Sequence, residues 1–382
     1  MKDTRTIGEK LELFDNALSI RHNKRIPTYS NDYTWCIFDA GYRFSEALSD
    51  YSILEKIRRD FHEKYCFDAY QDYAVNRNSY AVGLAIGGTR HIIDDDKDSV
   101  YVLDGTLMSP DDYELYGNNI DAFHWSVTTK NLKPEMTYQQ LYDGALALAG
   151  YLEHTAKMRR IFTEEFQCPV ADSDYDAAAG NPVDSLFLSY RGMANFSKDM
   201  RRHMDRIEAA CDAYFENNIQ PLLDTLEKPA TRDSACHATG NLLSHTVMNA
   251  KQFERLFWKY YQRICDKFAE KEMSIFLYQE GSMIRLADYF RDLPKGLQLI
   301  QMEQDNIIEM RKALPNIALS GGISTILLQI GTKEENIDYV KKTIDGVGDG
   351  LVLSQDKMTS FKNDGKGENL AAVMDFIRSY EA

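Results

Sequence analysis

Met273-Ser274-Ile275-Phe276-Leu277, running straight into Tyr278-Gln279-Glu280-Gly281, is the stretch whose reading decides the fold. Three more apolar runs repeat the arrangement. Residues 297–302 run into Glu303-Gln304-Asp305, residues 317–319 into Ser320-Gly321-Gly322, and residues 351–353 into Ser354. Helical patterns lie between them, at 282–291, 306–314 and 333–345. Strand, polar loop and helix in repetition predict a parallel sheet. In a (β/α)8 TIM barrel the chemistry sits where the strands end. Glu280 and Glu303 occupy such positions.

Working outward, 382 residues with 44% apolar content suit an α/β barrel with additions. The whole of 1–382 reads as one barrel domain, with 1–24 as an N-terminal extension and 88–106 as a β-hairpin insertion. Residues 25–30 read as a first short strand. Residues 35–48 and 51–65 read as amphipathic helices, and 67–73 as an extended run ending in Asn76-Arg77-Asn78. The hairpin turn, Asp94-Asp95-Asp96-Lys97-Asp98, lacks the alternating spacing and closing glutamate of a calcium loop and reads as a solvated turn. Residues 137–166 form one long helical pattern. Residues 168–181 have no periodicity and are long enough for a cover over a site. Residues 184–226 are helical with a break near 217–221, 234–237 end a short strand, and 251–270 form a helix. The strands are expected to end near Tyr29, Asp72, Cys236, Tyr278, Met302, Leu319 and Leu353.

The net charge of −15 argues against nucleic acid as a partner, because phosphate backbones are met by a basic face. Six scattered cysteines without a CxxC pair point to a reducing, cytoplasmic setting. The mixed-charge N-terminus does not read as a signal peptide, and no apolar run approaches the ~20 residues of a membrane helix. No membrane partner is expected, and a homodimer stays open. Of the 23 tyrosines and 18 phenylalanines, most belong to core packing, although some stand beside candidate site residues.

Several motifs are set aside. Gly346-Val347-Gly348-Asp349-Gly350 precedes a strand, so it reads as a helix-to-strand turn instead of a phosphate cradle. No GxSxG elbow, Walker loop or HExxH helix is present. Glu280 and Glu303 remain, on neighbouring strand ends. Two ionised carboxylates at close range repel, and either a cation or a shared proton relieves the repulsion. A metal would need a third ligand, and His237, just after 234–236, is the first choice, with His245 second. His237, Glu280 and Glu303 would make a zinc set with an open fourth position. Alternation along a strand turns the neighbouring Cys236 away from them.

The stretch from Ser234 onward resembles the uroporphyrinogen decarboxylase superfamily. The matching pieces are Lys251-Gln252-Phe253-Glu254, Ile275-Phe276-Leu277-Tyr278-Gln279-Glu280-Gly281 and Met302-Glu303-Gln304-Asp305. Residues 318–324, 327–335 and 350–354 match as well, as do, more thinly, Arg25-Ile26-Pro27 and 187–192. The resemblance implies a (β/α)8 barrel. True decarboxylases of the superfamily carry an arginine-rich N-terminal motif, which is missing around Arg25. The corrinoid-dependent methyltransferases form the other branch. Their thiol-using members hold zinc with His-x-Cys and a later Cys, where this chain has Tyr278, Glu280 and Ser320. The Glu280-Gly281 pair resembles the O-demethylase methyltransferases of anaerobic metabolism. The resemblance therefore implies a methyltransferase that takes a methyl group from a small methoxylated, aromatic substrate to the cobalamin of a partner corrinoid protein. Zinc on His237, Glu280 and Glu303 would stabilise the leaving phenolate. Tyr29, Tyr190, Tyr278 and Ser320 would line the substrate pocket. Arg191 would bind an aryl carboxylate or else pair with a core acid. Asn76 and Asn78 would bond ring substituents or shape a turn. A decarboxylase of another carboxylated substrate, and a catalytically silent binding member, are the alternatives.

Overall fold

The computed structural model of the chain describes residues 4–75, 79–86, 91–102, 105–171 and 173–380. Its main sheet has seven strands: β1 (Thr28–Ser30), β2 (Ala69–Tyr70), β5 (Ala238–Leu242), β6 (Ile275–Gln279), β7 (Gln298–Gln301), β8 (Ala318–Ile323) and β9 (Leu351–Gln355). Their order is β2-β1-β9-β8-β7-β6-β5, and every pairing is parallel. The sheet curls into a half-barrel of TIM-barrel-like form. β3 (His91–Asp94) and β4 (Ser99–Val102) make a separate antiparallel hairpin, where the insertion was expected.

The eight strands of the expected barrel are not all present as ladders. Between the outer strands β2 and β5 lies Val170, which bridges to Tyr70 on one side and Ser234 on the other. Tyr70 N–H donates to Pro169 O at 3.1 Å, and Ala235 N–H donates to Val170 O at 3.1 Å. Residues 168–171 are therefore part of the wall between the two edges, not part of a cover. The expected strand end at Cys236 is also corrected. Ladder pairing starts only at Ala238, opposite Ile275, and continues to Leu242, opposite Gln279. The strand Ala-Thr-Gly-Asn-Leu is poor in β-branched and aromatic residues, and its edge position alone does not explain it. Pairing with the apolar β6 holds it.

Helices pack outside the strands. α1 (Ile7–Leu18) starts with a capping box in which Thr6 and Glu9 satisfy each other's backbone N–H groups. Its Phe14 meets the ring of Tyr29, which in turn meets Phe276 at 5.1 Å. The lead-in segment thus contributes to the barrel core. α2 (Tyr51–Tyr65) is capped by Asp50 and ended by Cys66 in the left-handed conformation. It buries Leu54, Ile57, Phe61 and Tyr65, spaced three and four apart. α3 (Ser79–Ala85) packs on α4 (Tyr138–Arg160), the long helix. α5 (Lys259–Glu270), α6 (Lys333–Val347) and α7 (Gly367–Ser379) follow. Buried apolar side chains from Phe14 to Ile377 form one contiguous cluster. No helix among the described residues is long and apolar enough to cross a membrane.

Candidate active site

Because the strands are parallel, their C-terminal ends share one rim. Glu280 follows β6 and Glu303 follows β7 on neighbouring strands of that rim. Glu303 accepts a short hydrogen bond from the Gly281 N–H. Gly281 takes φ +79°, which a glycine adopts without strain and which turns the chain sharply after Glu280. Tyr278, two residues before Glu280 and on the same face, donates its hydroxyl to Glu280 Oε1 at 3.4 Å. Asp305 ties the same two loops, accepting from Ser282 Oγ at 2.5 Å and from Met283 N at 2.6 Å.

A third carboxylate, which the sequence did not single out, joins them. Asp184 is buried, and it accepts from Leu243 N at 3.1 Å, Ser244 N at 2.9 Å and, by a short bond, Ser244 Oγ. Those residues follow β5 on the same rim. Burial raises the Asp184 pKa to about 6 against the pull of these hydrogen bonds, and the charge of Glu280 adds to the rise. In the sequence Asp184 looks like an ordinary acid after the Asn181-Pro182 helix start. Only the approach of the 243–244 loop distinguishes it, and no local pattern encodes that approach.

The sequence-predicted metal trio is not brought together. His237 precedes β5, and its N–H donates to Ser274 O at 3.0 Å, ahead of β6. Glu280 lies six residues further along that strand, roughly 20 Å away at the rise of a β-strand. The imidazole instead has a structural role: Ser274 N–H donates to Nδ1 at 3.0 Å, and Ser274 Oγ lies 2.9 Å from the same atom. Burial, then the nearby Arg232 and Lys228, lower its pKa to about 4, so it is neutral at pH 7. The histidine on the rim side is His245, also buried, with its pKa lowered to about 4 by burial and Arg285. Arg285 donates to the His245 carbonyl at 2.5 Å. Among the described residues no group of three or more His, Cys, Asp or Glu side chains could hold a metal ion. With the nitrogen ligand at the other end of the sheet and one Glu303 oxygen taken by Gly281, the residues do not fit the three-ligand zinc site. Cys236 lies beside His237, far from the carboxylates, and burial pushes its thiol up to about 12.

The pocket residues divide. Tyr29 and Tyr278 both belong to the barrel interior. Tyr29 donates its hydroxyl to Gln71 Oε1 at 2.6 Å. Ser320 is buried in β8, with its hydroxyl 2.9 Å from that of Ser354. Ser354 in turn donates to Gln301 Oε1 at 3.2 Å, so a polar belt crosses β7, β8 and β9. Tyr190 instead packs with Tyr116 and Phe123, and its hydroxyl lies 2.9 Å from His124 Nε2. Arg191 takes the core-acid role: it is buried and donates to Asp199 at 2.6 Å and to Met108 O at 2.5 Å. Its forks are occupied by the protein, so it is not a free carboxylate clamp. Asn76 and Asn78 lie outside the described residues.

The fold and this rim define a TIM-barrel-like α/β protein with acidic residues at the strand ends. The model of the uroporphyrinogen decarboxylase (URO-D) family matches residues 178–380, more than half of the chain. The chain belongs to that family. No curated protein sequence matches it. Among solved structures it is similar to a methyltransferase from Methanosarcina mazei, at 15% identity, 98% coverage of both chains and a TM-score of 0.61. At that identity the likeness is one of fold.

Proposed function

We propose that this protein transfers a methyl group from a small methoxylated, aromatic substrate to the corrinoid of a partner protein. The carrying observation is a buried acid on the rim, Asp184, which accepts from Leu243 N and from Ser244 N and Oγ, has its pKa raised to about 6 by burial, and feels the charge of Glu280. The corrinoid would supply the cobalt nucleophile that accepts the methyl group. As the methyl–oxygen bond breaks, the leaving oxygen gains charge and needs a proton or a fixed dipole. Burial, with a smaller contribution from the charge of Glu280, keeps a proton on the Asp184 carboxyl up to about pH 6, so a proton donor is held at the rim on the acid side of neutrality. Glu280 passes that proton to the leaving oxygen. Tyr278 orients Glu280, and Glu303 holds the Gly281 turn beneath it. Phe276, Tyr29 and Tyr278 supply aromatic surface for the ring, and the Gln301–Ser354–Ser320 belt supplies polar contacts. This chemistry uses acid catalysis by the chain's own residues, in place of the zinc set that the residues do not form.

Family membership and the fold likeness to a methyltransferase support the reading. Occupation of Arg191 by Asp199 disfavours the decarboxylase alternative, which needs free cations for substrate carboxylates. The test is incubation with reduced cobalamin and a panel of methoxybenzenes, following methylcobalamin in the visible spectrum. Glu280→Gln should abolish the signal. Release of carbon dioxide from a carboxylated substrate, with no methyl transfer to free or protein-bound corrinoid, would overturn the proposal.

A further inference from the structure

We propose that the end of the barrel opposite the acidic rim holds a binding site for a small organic phosphate, centred on His237. A cleft of about 430 Å³ opens there, within the size range of small-molecule sites. The parallel sheet gathers its walls from four parts of the chain. These are the end of α1 with Arg21, Lys228 and Arg232 ahead of β5, residues 272–274 ahead of β6, and residues 294–297 ahead of β7. Four cations line the cleft, Arg21, Lys228, Arg232 and Lys295, against two acids, Asp15 and Glu272. A local excess of positive charge is a departure in a chain of net charge −15.

His237 gives the cleft a directed donor. The residue is only 6% exposed. Its Nδ1 accepts from Ser274 N–H at 3.0 Å, so the neutral imidazole carries its proton on Nε2. Among the described residues no acceptor meets Nε2, and the ring turns that edge to the cleft it lines. A buried N–H without an acceptor is costly, and a ligand oxygen would supply one. Burial, then Arg232 and Lys228, lower the imidazole pKa to about 4. The cleft therefore presents a neutral N–H donor beside two cations, which is a setting for an oxyanion. A metal ion would meet a proton where it needs a lone pair.

The fold does not use up these cations. Arg232 pairs with Asp15 at 2.6 Å, but Lys228 reaches Glu272 only at 3.7 Å, with both side chains open to water. Arg21 and Lys295 have no ion pair among the described residues. The C-terminal ends of α1 and α5 also point to this end of the sheet, and helix ends of that polarity attract cations. Backbone N–H groups already meet their last carbonyls. Gly296 N–H donates to Leu18 O at 2.8 Å, Glu272 N–H to Ala269 O at 3.0 Å and Met273 N–H to Phe268 O at 2.8 Å. Positive charge is left over for a ligand. Several cations and one N–H match the many acceptor oxygens of a phosphate better than the two of a carboxylate. The cleft is larger than a bare phosphate, so there is room for the organic body that carries it. The site lies at the other end of the sheet from Glu280 and does not rest on the methyl-transfer reading.

The test is a titration of the full chain with inorganic phosphate and with ribose 5-phosphate, at an ionic strength held constant with sodium chloride. The imidazole C–H resonances of the eight histidines report it, with His237 assigned by its loss in His237→Gln. Both probes should shift the His237 signal to saturation, and ribose without the phosphate should not. A bound dianion offsets Arg232 and Lys228, so the pH at which His237 titrates should rise in the saturated protein. Arg21→Gln with Lys295→Gln changes two exposed side chains. It should weaken binding about tenfold in dialysis with labelled phosphate, and leave the melting curve without phosphate unchanged. Lys341→Gln, outside the cleft, should leave binding unchanged. A His237 signal that neither probe moves would overturn the proposal, as would phosphate binding that the Arg21 and Lys295 changes leave intact. So would a shift that ribose or sodium chloride alone reproduces.

Discussion

Asp184 shows how one side chain can couple the rim to pH. Its carboxyl is fully surrounded, and its pKa rises from 3.8 to about 6 because burial outweighs three hydrogen bonds. The folded state therefore binds a proton that the unfolded chain has already released. Stability is unaffected below about pH 4, falls as pH rises towards 6, and then levels off. At 1.36 kcal/mol per pH unit the loss is about 3 kcal/mol. Asp184→Asn cannot ionise, so urea unfolding of that variant between pH 4 and 7 should lose this part of the slope. The same substitution should shift the alkaline limb of any methyl-transfer rate profile, the fall in rate as pH rises through about 6 and the proton donor is lost. An unchanged slope and an unchanged limb would exclude the proton-donor role. The sequence pointed to Glu280 and Glu303 correctly as rim residues, because both follow apolar runs that became β6 and β7. It misplaced His237, because it took 234–236 for the strand when the strand begins at Ala238. One element boundary moved a histidine from the C-terminal rim to the other end of the sheet.

At the scale of elements, local chemistry explains what was legible. α2 was readable because Asp50, the apolar residues three and four apart and its end at Cys66 all agree on one helix. Val170 was not readable: a single bridging residue has no periodicity, and its place depends on two edges far apart in sequence. β8 was read too short, since Ser320-Gly321-Gly322 looks like a turn. The strand in fact continues through the glycines to Ile323. Gly322 has φ +86°, and a Cβ there would stand 2.7 Å from Thr343 Cγ2 of α6. The glycine therefore serves both the backbone conformation and the close approach of helix to strand. Gly322→Ala should destabilise the protein by about 2 kcal/mol, measured as a lower urea midpoint with unchanged m. Thr343→Ser removes the clashing methyl and keeps the hydroxyl that donates to Tyr339 O at 3.1 Å. The double variant should recover the steric part of the loss but not the part due to φ.

At the scale of the whole molecule, the half-barrel must hold together strands from the two ends of the chain. Arg58, wholly buried on α2, supplies one tie. Its guanidinium donates to Asp32 Oδ2 at 2.6 Å and to Tyr33 O at 2.7 Å, and lies 4.0 Å from Asp72. Asp32 follows β1 and Asp72 follows β2. Asp32 also accepts from Thr359 Oγ1 at 3.0 Å, beyond β9, so one arginine–aspartate pair links both chain ends at the rim. Burial raises the Asp32 pKa, and Arg58 works against that rise. Arg58→Met keeps most of the apolar stem but strands a buried carboxylate. Breaking such a pair costs about 3–5 kcal/mol. The loss should be greatest at neutral and alkaline pH, where Asp32 must either stay charged without its partner or take up a proton. It should shrink as pH falls and the carboxyl is protonated in the unfolded chain as well. Thermal melts at pH 5 and pH 8 would therefore show a larger deficit for Arg58→Met at pH 8 than at pH 5. Asp32→Asn in the same background should recover part of the pH 8 deficit, because a neutral amide needs no counter-charge. If Arg58→Met melts with an equal deficit at both pH values, the arginine acts by packing alone, and the tie between the chain ends is not electrostatic.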